Sequence, residues 1–240
     1  MPPQVTTWWD RVSAVAPAPD LGLVLLTALL AFAATSAPGT WRHTRHLVTI
    51  AHEGAHGVAA LASGRRLAGI RLHSDTSGLT VSVGRDRGFG MVLTSAAGYV
   101  GPALVGLLAA LLLAHGHAVG VLWALLVLLA LLLLQIRNFF GLWAVLLAGT
   151  GLVVVTRWTP VEVQLVIAYV VTWFLLLGAP RAVVELQRER RRRRGRERTS
   201  DAAALARLTR LPAVVWVGFF LLVTVGCLLL GGRMLLVVAR

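Results

Sequence analysis

Seven stretches of the chain are almost wholly apolar: residues 21–35, 41–62, 91–114, 118–135, 138–156, 161–178 and 211–231. A bilayer core is crossed by about 20 apolar residues in a helix, with a range of about 17–25. The blocks therefore predict an all-α polytopic membrane protein with about seven transmembrane helices. The second block stands apart, because it opens on Arg42, His43, Arg45 and His46 and carries His52-Glu53-Gly54-Ala55-His56 in its middle. Between residues 64 and 90 the pattern changes to a period of two. Gly69-Ile70-Arg71-Leu72-His73 and Leu79-Thr80-Val81-Ser82-Val83 alternate apolar and polar positions around the turn Ser74-Asp75-Thr76-Ser77-Gly78. Alternation on both sides of a polar, glycine-containing turn predicts a small β-hairpin between the second and third helices.

Composition agrees with the pattern. Of the 240 residues, 57% are hydrophobic and the mean hydropathy is +0.77, against roughly 45–50% apolar in soluble domains. The net charge of +13 comes entirely from arginine, with no lysine. The arginines gather at helix ends and in the run Arg188 to Arg198, which has no interleaved aromatic residues. That arrangement excludes a nucleic-acid reading and assigns the run to the bilayer surface and its anionic lipid. Arginine without lysine in an Ala-, Val-, Leu- and Gly-rich chain points to a GC-rich genome, hence a bacterial inner membrane. With the run placed in the cytoplasm and seven spans counted, 18 arginines fall inside and Arg42, Arg45, Arg157, Arg233 and Arg240 fall outside. This bias orients the chain with its N-terminus cytoplasmic and its C-terminus exterior. The whole chain then forms one integral membrane domain, with a cytoplasmic N-terminal segment (1–20), a cytoplasmic hairpin (64–90) and a basic cytoplasmic loop (181–210). The N-terminal segment does not have the form of a signal peptide.

The chemistry sits in the second block. H-E-x-x-H on a helix puts two imidazoles one turn apart on one face, where both reach one zinc ion, with the glutamate placed to act on water beside it. His52 and His56 are the candidate ligands and Glu53 the candidate general base and acid. Ionisable groups inside an apolar segment cost several kcal/mol unless they are paired or used, which makes them functional by default. From His56 to Gly64 is about 12 Å of helix, so the motif lies within the membrane, nearer its cytoplasmic face. The single cysteine, Cys227, rules out an intrachain disulfide and leaves the third zinc ligand to an oxygen. Asp201 is the first choice, with helix capping as its other role; Asn138 is the alternative. Asp75 and Asp86 read as turn residues, and Glu185 and Glu189 as partners of neighbouring arginines. His115 and His117 make a poor second metal site. Gly98-Tyr99-Val100-Gly101-Pro102 reads as close packing against the His-Glu helix, with Pro102 freeing a backbone carbonyl near it.

Together, His52 to His56, the hairpin, Gly98 to Pro102, Arg137-Asn138 and Ser200-Asp201-Ala202 resemble the site-2 protease family of intramembrane zinc metalloproteases. The closer likeness is to its bacterial and plant branch, the peptidase M-fifty-B-like proteins, over roughly residues 40–210. The resemblance implies a zinc-dependent endopeptidase that cuts membrane-embedded protein substrates near the cytoplasmic face. Two family features differ. No aspartate occurs between Asp86 and Asp201, so the Leu-Asp-Gly motif that usually supplies the third ligand is missing, and Val105 stands where an asparagine usually follows the Gly-Pro pair. Two other readings stay open: a catalytically inactive scaffold or pseudoprotease of the same fold, and a membrane transporter.

Overall fold

A computed structural model of the protein describes residues 8–192 and 199–239. The six-residue helix α1 (Trp8–Ser13) precedes α2 (Leu21–Ser36) and α3 (Pro38–Ala62). The strands β1 (Arg66–Leu72) and β2 (Gly78–Val83) follow, then α4 (Phe89–Ala114), α5 (Ala118–Leu133), α6 (Phe139–Trp158), α7 (Val161–Arg192), α8 (Asp201–Thr209) and α9 (Ala213–Val238). All seven expected apolar blocks are helical. By length and apolarity, though, four described helices qualify as membrane spans: α4, α6, α7 and α9. A fifth arises if α2 and α3 count as one bent span. The two meet at 101°, because Ala37 is extended (φ −74°, ψ 127°) and Pro38 starts the new helix, where its missing N–H costs nothing. At 16 residues, α5 is short for a span. Four or five described helices therefore meet the length and apolarity of a span, and the seven separate crossings expected from block counting are not confirmed.

One core joins α2, α4, α5, α7 and α9 around Val24, Ala31, Leu113, Leu122, Tyr169 and Leu176. A second cluster lies beneath α8. Ala202 and Leu205 are fully buried against Val183 and Leu186 of α7 and Val217 and Phe220 of α9. The basic segment expected as a loop is largely ordered: α7 runs through Gly178 and Pro180 to Arg192, about 48 Å at 1.5 Å per residue. The part of the arginine run from 193 to 198 lies outside the described residues, as does the beginning of the N-terminal segment.

The hairpin forms as expected and extends to Arg66, with a register shift at Leu67/Gly69. Gly69 sits at φ +148° directly against the Arg137 side chain, so both its backbone and the space around it require glycine. β1 is buried on one face: Ile70 and Leu72 pack with Ile50 of α3, Leu132 of α5 and Val145 of α6. Its outer edge is also taken. Ile70 N–H donates to the Gln135 carbonyl at 2.7 Å, and Arg137 N–H donates to the Ile70 carbonyl at 2.9 Å. The Asn138 side chain then continues the pairing like a short strand, accepting from Leu72 N–H at 3.1 Å and donating to the Leu72 carbonyl at 2.6 Å. No described backbone group pairs with the other edge of β2.

Candidate metal centre

The two histidines occupy one face of α3, as the four-residue spacing dictates. The imidazoles meet edge to face with ring centres 4.7 Å apart. His52 Nε2 and His56 Nε2 are 3.1 Å from each other. Asp201 completes the group: its Oδ2 lies 3.1 Å from His52 Nε2 and 3.3 Å from His56 Nε2. A tetrahedral zinc ion with nitrogen and oxygen ligands at 2.0–2.1 Å has ligand–ligand edges of about 3.3 Å. The three separations, 3.1, 3.1 and 3.3 Å, lie close to that value, so the donor set fits zinc in both chemistry and spacing. Among the described residues, this is the one group of three or more His, Cys, Asp or Glu side chains whose ligand atoms all lie within 4.8 Å.

Each member is held from behind. His56 Nδ1 lies 2.7 Å from the Thr94 carbonyl. A carbonyl can only accept, so Nδ1 carries the hydrogen and Nε2 is left with its lone pair toward the group. His52 packs edge-on against the Tyr99 ring, 4.7 Å between centres, and Tyr99 in turn stacks on Phe220 of α9. Asp201 arrives through α8, which the cluster under Ala202 and Leu205 clamps in place. Ser200 takes the N-cap position of that helix, so Asp201 is not the cap residue and its carboxylate is turned to the imidazoles. Burial pushes the Asp201 carboxyl up, but the two imidazoles, when protonated, more than reverse this through charge and hydrogen bonding and hold it below the ordinary carboxylate range.

α4 forms the wall behind the imidazoles. A Cβ at Gly98 would fall on His56 Nε2 and within 2.6 Å of His52 Nε2, and one at Gly101 would collide with the Ala55 methyl. The expected close approach thus has a definite object, the two imidazoles. Pro102 lies inside α4 and has no N–H, so the carbonyl of Gly98 loses its usual helical donor.

Glu53 is 4% exposed and projects toward the hairpin. The Thr80 hydroxyl donates to its Oε2 at 2.6 Å. The cavity here has a volume of about 770 Å³ and is lined by His52, Glu53, His56, Asp201 and most of β2.

Asn138 is not part of the centre. Both halves of its amide are engaged by the Leu72 backbone, and it does not line the cavity that holds the histidines. Asp75 closes its own turn, accepting from Ser77 N–H at 3.0 Å and from Ser77 Oγ at 2.6 Å. The Ser77 hydroxyl and amide hold its carboxyl below the usual range. Glu185 pairs with Arg181 at 3.6 Å, as neighbouring charge suggests. It also reaches Arg45 at 3.5 Å and accepts from Trp41 Nε1 at 2.6 Å. His115 caps α4, its Nδ1 2.8 Å from the Leu111 carbonyl. The roles of Thr80 and Thr94 left no mark in the sequence; Thr80 was visible only as a polar position in an alternating strand.

The fold and the centre together define a helical integral membrane protein with a possible metal site at the end of a broken helix. The family model of the Peptidase M50B-like proteins matches residues 25–231, and the chain belongs to that family. Comparison with curated proteins and with solved structures gave no match.

Proposed function

We propose that the protein is a zinc-dependent intramembrane endopeptidase acting on membrane-protein substrates. The observation that carries this reading is the convergence of His52, His56 and Asp201 at zinc-like spacing in a cavity that also holds Glu53 and an unpaired strand edge. A zinc ion bound there supplies Lewis acidity and lowers the pKa of its water toward 7. Glu53 takes the proton from the attacking water and returns it to the leaving amine. The free edge of β2 receives the substrate as an added strand, with main-chain hydrogen bonds giving affinity. A helical peptide bond is hydrogen-bonded within its own helix, so unwinding onto a strand is what exposes the carbonyl to attack.

On this reading the site end of the molecule lies at the cytoplasmic face of a bacterial inner membrane, which the distribution of arginines supports. Arg45 pairs with Glu185 and Arg181 covers the Trp41 ring at 4.6 Å, so Arg42 and Arg45 are read on the same side as the basic end of α7 rather than outside. Conversely, Ala16 N–H donates to the Gly116 carbonyl at 2.9 Å, which joins the start of the chain to the turn at the far end of α4. This favours an exterior amino terminus over the cytoplasmic one expected from seven spans. The basic run beyond Arg188 meets anionic lipid. No nucleic acid enters the reading.

Glu53→Gln in the zinc-loaded protein should abolish cleavage of a co-expressed membrane substrate at unchanged protein level and zinc content. Cleavage by the variant at the wild-type rate would refute the assignment. Stoichiometric zinc without cleavage of any membrane substrate would instead favour the pseudoprotease reading.

A further inference from the structure

The hairpin touches the centre at a point that metal binding does not need. Thr80, in the middle of β2, donates its hydroxyl to Glu53 Oε2 at 2.6 Å, and that hydroxyl also lies 3.1 Å from the backbone carbonyl of Glu53. Among the described residues no other hydrogen bond reaches this buried carboxylate. Two residues back on the same face, Gly78 leaves room for it. A Cβ there would fall on Oε1 of Glu53, with Cγ at 2.5 Å and Cδ at 2.6 Å. β2 is therefore shaped around one side chain, receiving it at Gly78 and fixing it at Thr80. Strand propensity alone explains neither feature: valine would serve a strand as well as threonine, and glycine weakens one.

We infer that Thr80 is a positioning residue for the reaction proposed above: its hydroxyl fixes the carboxylate of Glu53 and ties that base to the strand whose open edge takes the substrate. The inference rests on the proteolytic reading. It adds that docking and alignment are set by one element. The six residues of β2 determine which peptide bond of an added strand lies over the centre, and the same strand holds the group that must meet the attacking water. A shift of β2 moves both together.

The test uses the full-length, zinc-loaded protein in lipid bilayers and two isosteric or near-isosteric changes. Thr80→Val keeps volume and β propensity but removes the donor, while Thr80→Ser keeps the donor. Thr80→Val should lower kcat by about 10- to 100-fold, as loss of an orienting partner does. KM should stay within about twofold and zinc content should not change. Thr80→Ser should retain kcat within about threefold. A second measurement does not depend on turnover. Amide hydrogen exchange over residues 78–83 should rise in Thr80→Val and in Glu53→Ala, and the double variant should add nothing further, because the two changes break one interaction. Wild-type kcat in Thr80→Val, or a Thr80→Ser as impaired as Thr80→Val, overturns the positioning role. Additive exchange effects overturn the pairing itself. A wild-type protein that cleaves nothing removes the proteolytic reading and the kinetic role with it, and the exchange cycle then decides the pairing alone.

Discussion

Asp201 and Asn138 entered as rivals for one role, and their surroundings separate them. Asp201 faces two imidazoles, whereas Asn138 is spent on the backbone of Leu72. Asp201→Ala should therefore drop bound zinc, measured by elemental analysis, from about one per chain to near zero. Asn138→Ala should keep its zinc and instead speed proteolytic nicking of the turn at residues 73–77. The reverse pattern would exchange their roles. Acid should act on the centre through the histidines, not through Asp201. Metal ligands must be deprotonated, and the Asp201 carboxyl titrates below the ordinary carboxylate range. Zinc affinity should fall as the pH is lowered, because a protonated imidazole cannot bind metal; an affinity independent of pH would show that the histidines are not ligands. At this scale the sequence was most legible where chemistry is local. His52, Glu53 and His56 sit within one helical turn and a half, so spacing alone joined them. Asp201 could be nominated only because few acidic residues compete for the place. Thr80 and Thr94 were out of reach, because a threonine's partner depends on which element folds back against it.

Among the elements, α4 had a readable part and an unreadable one. Its small residues announced a close approach, but not that Gly98 backs onto both imidazoles. Gly98→Ala should disturb zinc binding with little change to the helix itself, since alanine is the better helix former. The expected result is a loss of zinc affinity of tenfold or more at unchanged helical content by circular dichroism. Unchanged affinity would mean that the imidazoles are free to shift. The hairpin was legible from its period of two. The segment at residues 135–138 was not, because Gln135-Ile136-Arg137-Asn138 has no periodicity and reads as a polar helix boundary. It acts as a strand only because β1 is beside it. The bend between α2 and α3 was half visible: the gap between the first two apolar blocks marked a break, but not its angle of 101°.

For the molecule as a whole, block counting gave a helical membrane protein, but seven crossings are not confirmed: four or five described helices have the length and apolarity of a span. It treated α3 as a full traverse, whereas the contacts of Arg45 and Trp41 with Glu185 and Arg181 bring the start of that helix to the basic end of α7. The orientation is open to a direct check with single cysteines labelled in intact cells, in a Cys227→Ser background. A cysteine at Ser13 or His117 should react with an impermeant thiol reagent applied from outside, and one at Ser77 should not. Equal protection of Ser13 and Ser77 would restore the cytoplasmic amino terminus.

The closed outer edge of β1 has a kinetic consequence. With Gln135–Asn138 already paired to it, the strand-addition reading proposed above leaves substrates a single berth, the free side of β2. Main-chain pairing is nearly blind to side chains, so different substrates must queue for that berth and exclude one another strictly. The strand left behind after each cut holds it by the same bonds that brought it in. On that reading, departure of the product rather than scission should set the pace, and an uncleavable extended peptide of almost any sequence should act as a competitive brake.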